Sequence, residues 1–319
     1  MKRSNSSGAA MNNHIPSKCL YFSSPVRETV EVIEESRNTI TLADRIICFR
    51  IPSDDELKVA AARNQKIISV VDDDYWGIVK DGRLPLGYRS RMFYKLMNNG
   101  RQLRRLTNCW VVTSPKLENI YPGAALIDPN WNISNSIKVP SSREGLHLSF
   151  LGTRSHLHDL RMILPFIIPF LQDFRATRFT LFLGKHCPKE LSILPNVTNY
   201  EPMSWRPYRD FLQELNIDVS ILPSEQTQVN ACRSRNKLFE AVYAGGVCLL
   251  DEHYTHKGYA EKYQLGISHN HQELYSLLNT FTKDRSQLTN LQHIARTNAV
   301  ALQAGIIEKQ KEVLLSPMN

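Results

Sequence analysis

The fold is decided by the stretch NACRSRNKLFEAVYAGGVCLLD, which spans residues 230–251. It reads as a loop, a helix, a double-glycine stop and a buried strand. Ser234 or Asn236 can cap the helix, and the glycine pair at 245–246 ends it. The four apolar residues that follow are typical of a strand covered on both faces. The stretch therefore predicts a helix followed by a buried strand, as in α/β proteins.

The head of this helix combines three cations with one acid. Arg233, Arg235 and Lys237 stand where free backbone N–H groups and the helix dipole attract anions. Glu240 lies one turn further on, where a carboxylate can accept hydrogen bonds from a pair of sugar hydroxyls. Hydrogen-bond donors for phosphate, beside a hydrogen-bond acceptor for hydroxyls, predict a nucleotide site. The alternative is a capped helix that only packs on a strand.

This stretch resembles the signature of GT-B glycosyltransferases that carry a Glu-x7-Glu motif. Lys237, Glu240 and Gly245 match the motif, whereas its first glutamate falls on Cys232 and its proline on Val247. The resemblance implies an enzyme that transfers a sugar from a nucleotide diphosphate to a hydroxyl, with retention of configuration. It implies two Rossmann-like, doubly wound α/β domains that face a cleft.

The sequence is most similar to a bacterial surface-polysaccharide branch of this family, in which an Asn, a Ser and a Lys precede the glutamate. Asn230, Ser234 and Lys237 hold those places. The resemblance assigns the ribose to Glu240, and the donor sugar to Asn230 and Ser234. The diphosphate is assigned to four cations, namely Arg154, Arg233, Arg235 and Lys237. Lys237 is also expected to assist the departure of the diphosphate.

The loop Phe150-Leu151-Gly152-Thr153-Arg154 gives a second donor-binding signal, because it ends a predicted strand with a glycine before a helix. In the family this loop supplies an Arg and, five residues later, a Lys. Thr153 and His158 hold those places here, so Gly152, Arg154 and Lys185 are the candidates for the diphosphate. The alternative is that both cations are ordinary loop charges.

Three carboxylates, Asp72 to Asp74, follow the predicted strand Ile67–Val71. We predict that Asp73 and Asp74 line the acceptor side of the cleft, where one acts as a base or orients the acceptor hydroxyl. Such a cluster can also bind a divalent cation, but the family needs no metal, and we expect neither a metal nor a cofactor besides the sugar nucleotide. Helix capping is the alternative.

Helix and strand signals alternate on both sides of residue 145, which predicts parallel sheets with crossover helices. A helix is expected over Val26–Ser36, and a linker over 136–145. Four regions are predicted. They are a flexible N-terminus (1–13), an acceptor-side domain (14–140), a sugar-nucleotide domain (146–300) and a C-terminal helical tail (301–319).

A basic run covers Arg83 to Arg105, with seven cations, no acid and apolar residues at helical spacing. It predicts peripheral contact with an anionic membrane. The resemblance to surface-polysaccharide enzymes implies a glycan or lipid-linked glycan acceptor. A solvated helix face is the alternative. Nucleic acid would satisfy the same charges, but no base-stacking motif accompanies them, so we expect no nucleic-acid partner.

Composition predicts a globular chain. It has 319 residues, 42% of them hydrophobic and 22% charged, and a net charge of +8. No apolar run approaches the ~20 residues of a membrane span, and the N-terminus lacks the apolar core of a secretory signal. Six cysteines without metal or redox spacing favour reduced thiols. We expect a cytoplasmic protein, either free or at the inner face of the membrane.

Two other functions remain open at this point. The missing first glutamate is compatible with a degenerate glycosyltransferase-like protein that binds without turnover. The basic run is compatible with a membrane- or nucleic-acid-binding protein on a doubly wound scaffold.

Overall fold

The computed structural model describes residues 15–134 and 144–316. The predicted flexible N-terminus, 1–13, and most of the predicted linker lie outside these ranges. The chain forms two compact units. The first comprises Met1–Asn130, Cys232–Arg235 and Ala304–Asn319, and the second comprises Trp131–Ala231 and Asn236–Gln303.

The first unit holds a six-stranded sheet whose strands follow one another in chain order. The first two pairings are antiparallel and the remaining three are parallel. The strands are β1 (Glu34–Glu35), β2 (Thr39–Thr41), β3 (Arg45–Phe49), β4 (Lys66–Val71), β5 (Cys109–Val112) and β6 (Ala125–Leu126).

Between residues 15 and 134, the structure has seven α-helices and a π-helical turn at Leu96–Gly100. They are α1 (Pro16–Tyr21), α2 (Ser24–Arg27), α3 (Asp54–Ala62), α4 (Tyr75–Lys80), α5 (Leu86–Lys95), α6 (Arg101–Leu106) and α7 (Pro115–Glu118).

The apolar strands β3 and β4 form the centre of this sheet. All five residues of β3 are buried, as are five of the six in β4, which suits strands covered on both faces. A capping box between Ser53 and Glu56 starts α3 directly after β3. The two strands pair in parallel, so their carboxyl ends bring Arg50 and the Asp72–Asp74 run to one edge.

The predicted helix Val26–Ser36 is wrong. Only Ser24–Arg27 is helical, and Glu34–Glu35 pairs with β2 instead. The intervening segment is rich in β-branched side chains, which lose rotamer freedom in a helix. Glu35 forms ion pairs with Lys18 at 2.8 Å and Arg27 at 2.5 Å. These tertiary contacts favour the extended conformation.

The second unit holds a six-stranded, fully parallel sheet in the order β12-β11-β10-β7-β8-β9. The predicted parallel sheets with crossover helices are confirmed. The strands are β7 (His147–Phe150), β8 (Arg178–Leu181), β9 (Val197–Asn199), β10 (Val219–Leu222), β11 (Val247–Asp251) and β12 (Gly266–His269).

Between residues 144 and 316, the structure has eight α-helices. They are α8 (Leu157–Asp173), α9 (Lys189–Ser192), α10 (Trp205–Leu215), α11 (Gln228–Ala231), α12 (Asn236–Tyr243), α13 (Lys257–Lys262), α14 (Leu274–Lys283) and α15 (Arg285–Leu315). The chain runs outward from β7 to β9 and then returns to β10 on the other side of β7. This reversal is a topological switch point, where doubly wound sheets bind ligands.

The predicted C-terminal tail, 301–319, does not begin a separate element, because α15 runs unbroken through residue 301. Its last turns are part of the first unit. The amide of Gln310, which is fully buried, donates to the carbonyls of Leu20 and Asp128 at 2.9 and 2.8 Å. Within the two described ranges, no helix is both long and apolar enough to cross a membrane.

Candidate functional site

Lys237 lies at the switch point of the second unit. Its ammonium donates to the carbonyl of Leu151, the first residue after β7, and lies 2.5 Å from the Oε2 of Glu240. The side chain is 24% exposed. A partly exposed cation is therefore fixed at the carboxyl end of the strand next to the point where the sheet reverses.

Glu240 is buried beneath this lysine. Its Oε1 accepts a hydrogen bond from the Tyr208 hydroxyl at 2.7 Å, and only 2% of its side chain is exposed. Burial and the Glu240 charge raise the pKa of Tyr208 well above its usual value. The predicted ribose contact thus requires Tyr208 or Lys237 to move. In the structure as it stands, Glu240 holds Lys237 in place.

Asn230 organises the loop after β10 on the other side of the switch point. Its amide donates to the Asp159 carboxylate at 2.8 Å and to the Glu225 carbonyl at 3.0 Å. The Nδ1 of His158 lies 3.0 Å from the Glu225 carboxylate. Asp159, which sequence reasoning missed, gave no signal because its hydrogen-bond donors in this loop, Glu225 and Asn230, lie more than 60 positions away.

Gly152 and Arg154 lie in the loop after β7. A Cβ at Gly152 would overlap the Phe150 ring and lie 2.9 Å from the His156 Cβ, so only glycine fits. Arg154 is exposed and begins a short 3-10 turn. Lys185 is exposed in the corresponding turn after β8.

The three cations predicted at one helix terminus have different partners in the structure. Arg235 is bound by both carboxylate oxygens of Asp128, at 2.7 and 2.8 Å, and is largely buried. Arg233 lies near Asp73, and Ser234 contacts the hydroxyl of Tyr21. These residues belong to the first unit, whereas Lys237 belongs to the second. The expectation of three mobile cations at one point is wrong because Asp128 captures Arg235.

Asn236, one of the two predicted caps, is the first residue of α12. Its side-chain oxygen accepts a hydrogen bond from the indole of Trp131 at 2.7 Å. The start of this helix is therefore anchored by a tryptophan distant in sequence.

Arg50 and Asp72 form an ion pair at the carboxyl ends of β3 and β4. The Arg50 Nε lies 2.8 Å from Asp72, and the hydroxyls of Ser17 and Tyr75 also donate to that carboxylate. Arg50 has a φ of +61°, a left-handed conformation that costs a non-glycine residue free energy. Strain of this kind is held in place by surrounding contacts and is concentrated at functional sites.

Asp73 differs from its neighbour. Burial and the adjacent Asp72 charge raise the pKa of Asp73 to about 6, although Arg233 and Arg50 act in the opposite direction. Burial would also raise the pKa of Asp72, but the Arg50 charge and the hydrogen bonds hold it below its usual value. Asp73 is therefore the carboxyl whose protonation changes near neutral pH.

Asp74 has a structural position. It is 6% exposed and caps α4, because its carboxylate accepts the Gly77 N–H at 2.8 Å. The alternative of helix capping thus describes Asp74, and a catalytic role for Asp73 stays a prediction.

A cavity of about 1000 Å³ opens at this edge of the first unit. Its walls include charged and phenolic side chains from several loops and helices: Arg37, Arg50, Asp73, Tyr75, Tyr88 and Lys95. A large cavity with several charged and phenolic side chains at the carboxyl ends of parallel strands has the setting of a substrate site. Across the described ranges, no group of three His, Cys, Asp or Glu residues is placed to hold a metal ion.

Comparison with solved structures shows the GT-B fold. WaaG, a glycosyltransferase of lipopolysaccharide biosynthesis, superposes with a TM-score of 0.55 at 13% identity, over 83% of this chain and 81% of WaaG. Anabaena Alr3699/HepE, solved with UDP and glucose, gives 0.57 at 13%, over 85% and 78%.

A third neighbour is S. aureus TarM, solved as a point mutant in complex with fondaparinux, α-GlcNAc-glycerol and UDP. It gives a TM-score of 0.52 at 12% identity, over 80% of this chain, which spans about half (52%) of TarM. No protein-family model and no curated protein matches the sequence.

Proposed function

We propose that the protein is a glycosyltransferase that moves a sugar from a nucleotide-sugar donor to a hydroxyl of a glycan or lipid-linked glycan. The observation that carries this proposal is Asp73, a carboxyl with a pKa of about 6 on the wall of a substrate-sized cavity. It occurs in a chain whose fold is that of GT-B glycosyltransferases. The fold suggests the class of reaction, and the cavity is assigned to the acceptor.

The donor is assigned to the second unit. Lys237 and Arg154 are the cations for the diphosphate, and their positive charge stabilises it as the bond to the sugar breaks. Gly152 allows the donor to approach the backbone closely, and Asn230 is placed for the sugar. Glu240 contributes by orienting Lys237. Arg235 is left out, because Asp128 occupies its guanidinium.

The acceptor is assigned to the cavity of the first unit. Ionised Asp73 accepts a hydrogen bond from the reacting hydroxyl and orients it. The acceptor oxygen then bonds to the anomeric carbon while the bond to the diphosphate breaks. In a retaining transfer, as the motif resemblance implies, the hydroxyl proton passes to an oxygen of the departing diphosphate.

A panel of nucleotide sugars, beginning with UDP-sugars because HepE and TarM were solved with UDP, tests the donor assignment by thermal shift. A ligand that binds only the folded state raises the melting temperature. We expect one donor to stabilise the protein and to be consumed with a glycan acceptor. Stabilisation without hydrolysis or transfer would favour the degenerate binding protein, and no stabilisation by any donor would reject the proposal.

Contact with an anionic membrane is proposed for α5 and its surroundings. All ten residues of α5 are at least partly exposed. Large apolar side chains stand out here beside the basic run, with exposed fractions of 41% for Trp76, 73% for Leu86, 46% for Phe93 and 69% for Tyr94. Apolar and aromatic groups flanked by cations suit a membrane interface.

Sedimentation with vesicles tests this contact. Phosphatidylcholine vesicles containing phosphatidylglycerol should bind the protein, and pure phosphatidylcholine vesicles should bind it more weakly. The double variant Leu86→Ser and Phe93→Ser should release it, whereas Ile193→Ser, an exposed apolar residue of the second unit (79% exposed), should not. Equal binding by both variants would contradict the assignment.

A further inference from the structure

A second, smaller cavity of about 200 Å³ adjoins the acceptor cavity in the first unit. The two share three wall residues, Arg50, Ile51 and Tyr75. At roughly 30 Å³ per water molecule, the smaller cavity has room for about seven waters. One six-membered sugar ring with its hydroxyls requires a similar volume.

Aromatic side chains form part of the walls of the smaller cavity, beside aliphatic ones. The ring centroids of Trp110 and Tyr121 lie 4.8 Å apart, and Trp76 and Tyr75 also line the cavity. Aromatic faces pack against the apolar C–H face of a sugar ring, and their rigidity limits the entropy lost on binding. The cavity therefore offers aromatic surface on which a sugar ring can pack.

Two cations, Arg101 and Arg104, also line this cavity. Both are exposed, and neither forms an ion pair within residues 15–134 or 144–316. They lie in the same α6 helix, three residues apart, so they project from one face of it. A guanidinium binds a carboxylate or phosphate through two parallel hydrogen bonds. The positive charge of these two arginines thus favours an anionic ligand in this cavity.

The π-helical turn Leu96–Gly100 separates the two cavities. Asn98 and Asn99 line the larger one, whereas Leu96 and Gly100 line the smaller one. The Asn99 amide donates to the carbonyl of Pro52 at 2.9 Å, which anchors the turn to the loop after β3. Turns of this kind inside α-helices are frequent at functional sites. Here the turn directs side chains of one continuous helical segment into both cavities.

We propose that the smaller cavity is an acceptor subsite for a sugar residue that carries an anionic group, either a carboxylate or a phosphate. The proposal rests on the proposed function. The sugar residue with the reacting hydroxyl occupies the larger cavity beside Asp73. The neighbouring residue packs on Trp110 and Tyr121, and its anionic group binds Arg101 and Arg104.

Titration with three monosaccharides tests the subsite: glucuronic acid for the carboxylate, glucose 6-phosphate for the phosphate, and glucose as the neutral probe. Saturation-transfer NMR on the full chain measures each Kd. One or both anionic sugars should bind at least tenfold more tightly than glucose, and their relative affinities identify the anionic group. Equal binding of glucose, or no binding of either anionic sugar, would overturn the proposal.

Variants locate the binding. The double variant Arg101→Gln and Arg104→Gln should weaken the anionic sugar at least tenfold. The control variant Arg91→Gln and Arg105→Gln removes the same charge from exposed positions that line neither cavity, and should bind as the wild type does. An unchanged Kd in the first variant, or an equal loss in the second, would contradict the subsite.

The failure of this inference is distinguishable from the failure of the proposed function. If an anionic sugar binds through Arg101 and Arg104 but no donor is consumed, the subsite is supported and the proposed sugar transfer is contradicted. If sugar transfer occurs and the double variant leaves the KM of an anionic acceptor unchanged, the proposed transferase activity is supported and the subsite is contradicted.

Discussion

Asp73 combines burial, a neighbouring carboxylate and two nearby guanidinium groups in one side chain. Its pKa of about 6 means that it is ionised above that pH and can then accept a hydrogen bond from a hydroxyl. Asp72 is held ionised by Arg50, and Asp74 caps a helix. Of the three carboxylates, only Asp73 lines the large cavity.

The first prediction concerns activity. Asp73→Asn should lower kcat by about 100-fold, the cost of misplacing a reacting group, because the hydroxyl loses the charged acceptor that orients it, and wild-type activity should rise with pH through about 6. Asp74→Asn is the matched control, because asparagine caps helices as well as aspartate does. Kinetics across pH measure both, and a larger loss in the Asp74 variant would exchange the two roles.

The second prediction concerns stability. Because folding raises the pKa of Asp73, its contribution to the free energy of unfolding is greatest below the unfolded pKa near 3.8 and is lost as pH rises through about 6. Asp73→Asn should therefore be more stable than the wild type at pH 8, by on the order of 2–3 kcal/mol. Urea unfolding at several pH values measures the difference, which should grow from pH 4 to pH 6. A constant difference would contradict the raised pKa.

The third prediction concerns Glu240. Alanine at this position would leave the Tyr208 hydroxyl without its acceptor and Lys237 without its ion pair, so Glu240→Gln is the sharper change, since glutamine still accepts from Tyr208. Loss of the charge frees Lys237 and should raise the donor KM by about tenfold or more, the effect of about 1.4 kcal/mol. Thermal unfolding without donor should change little. An unchanged donor KM would reject the role of Glu240.

Residue types alone identified the site only in part. Local sequence pattern predicts where the strands end and where α12 starts. The residues predicted there do lie at the switch point, namely Gly152, Asn230, Lys237 and Glu240. The fate of Arg235 depends on Asp128, which lies 107 positions away. Nor does the sequence distinguish Asp73 from Asp74, because their environments come from Arg50, Arg233 and the N–H of Gly77.

At the scale of elements, buried strands and amphipathic helices could be predicted well. The predicted helix 157–173 has those bounds in the structure, and the strands at 45–50 and 67–71 differ by one residue each. Their hydrophobic patterns are local. The helix predicted over 26–36 failed because Glu35 and β2 provide pairing that no local pattern reveals.

The fourth prediction belongs to the loop after β7. Gly152→Ala would press a methyl group into the Phe150 ring, so it should destabilise the protein by about 1–3 kcal/mol and weaken donor binding. Gly87→Ala in α5 meets no atom within 4 Å and should be neutral or stabilising. Denaturant unfolding and donor thermal shifts compare the two. An equal effect of both changes would contradict the close packing at Gly152.

At the scale of the whole molecule, the chain crosses between its two units more than once. Residues 232–235 and the end of α15 belong to the first unit, although most of their sequence neighbours belong to the second. Long-range contacts of Arg235, Gln310 and Arg45 produce this arrangement. A division of the sequence into consecutive domains misses this arrangement. The sequence of a long helix such as α15 does not show at which residue its contacts pass from one unit to the other.

The central claim is sugar transfer that depends on Asp73. The most direct measurement follows release of nucleoside diphosphate and formation of product from UDP-sugars with a panel of glycan acceptors, for the wild type, Asp73→Asn and Asp74→Asn in parallel. The account predicts acceptor-dependent transfer by the wild type and Asp74→Asn, and its near loss in Asp73→Asn. Transfer at equal rates by all three proteins, or by none of them with any donor, would contradict it.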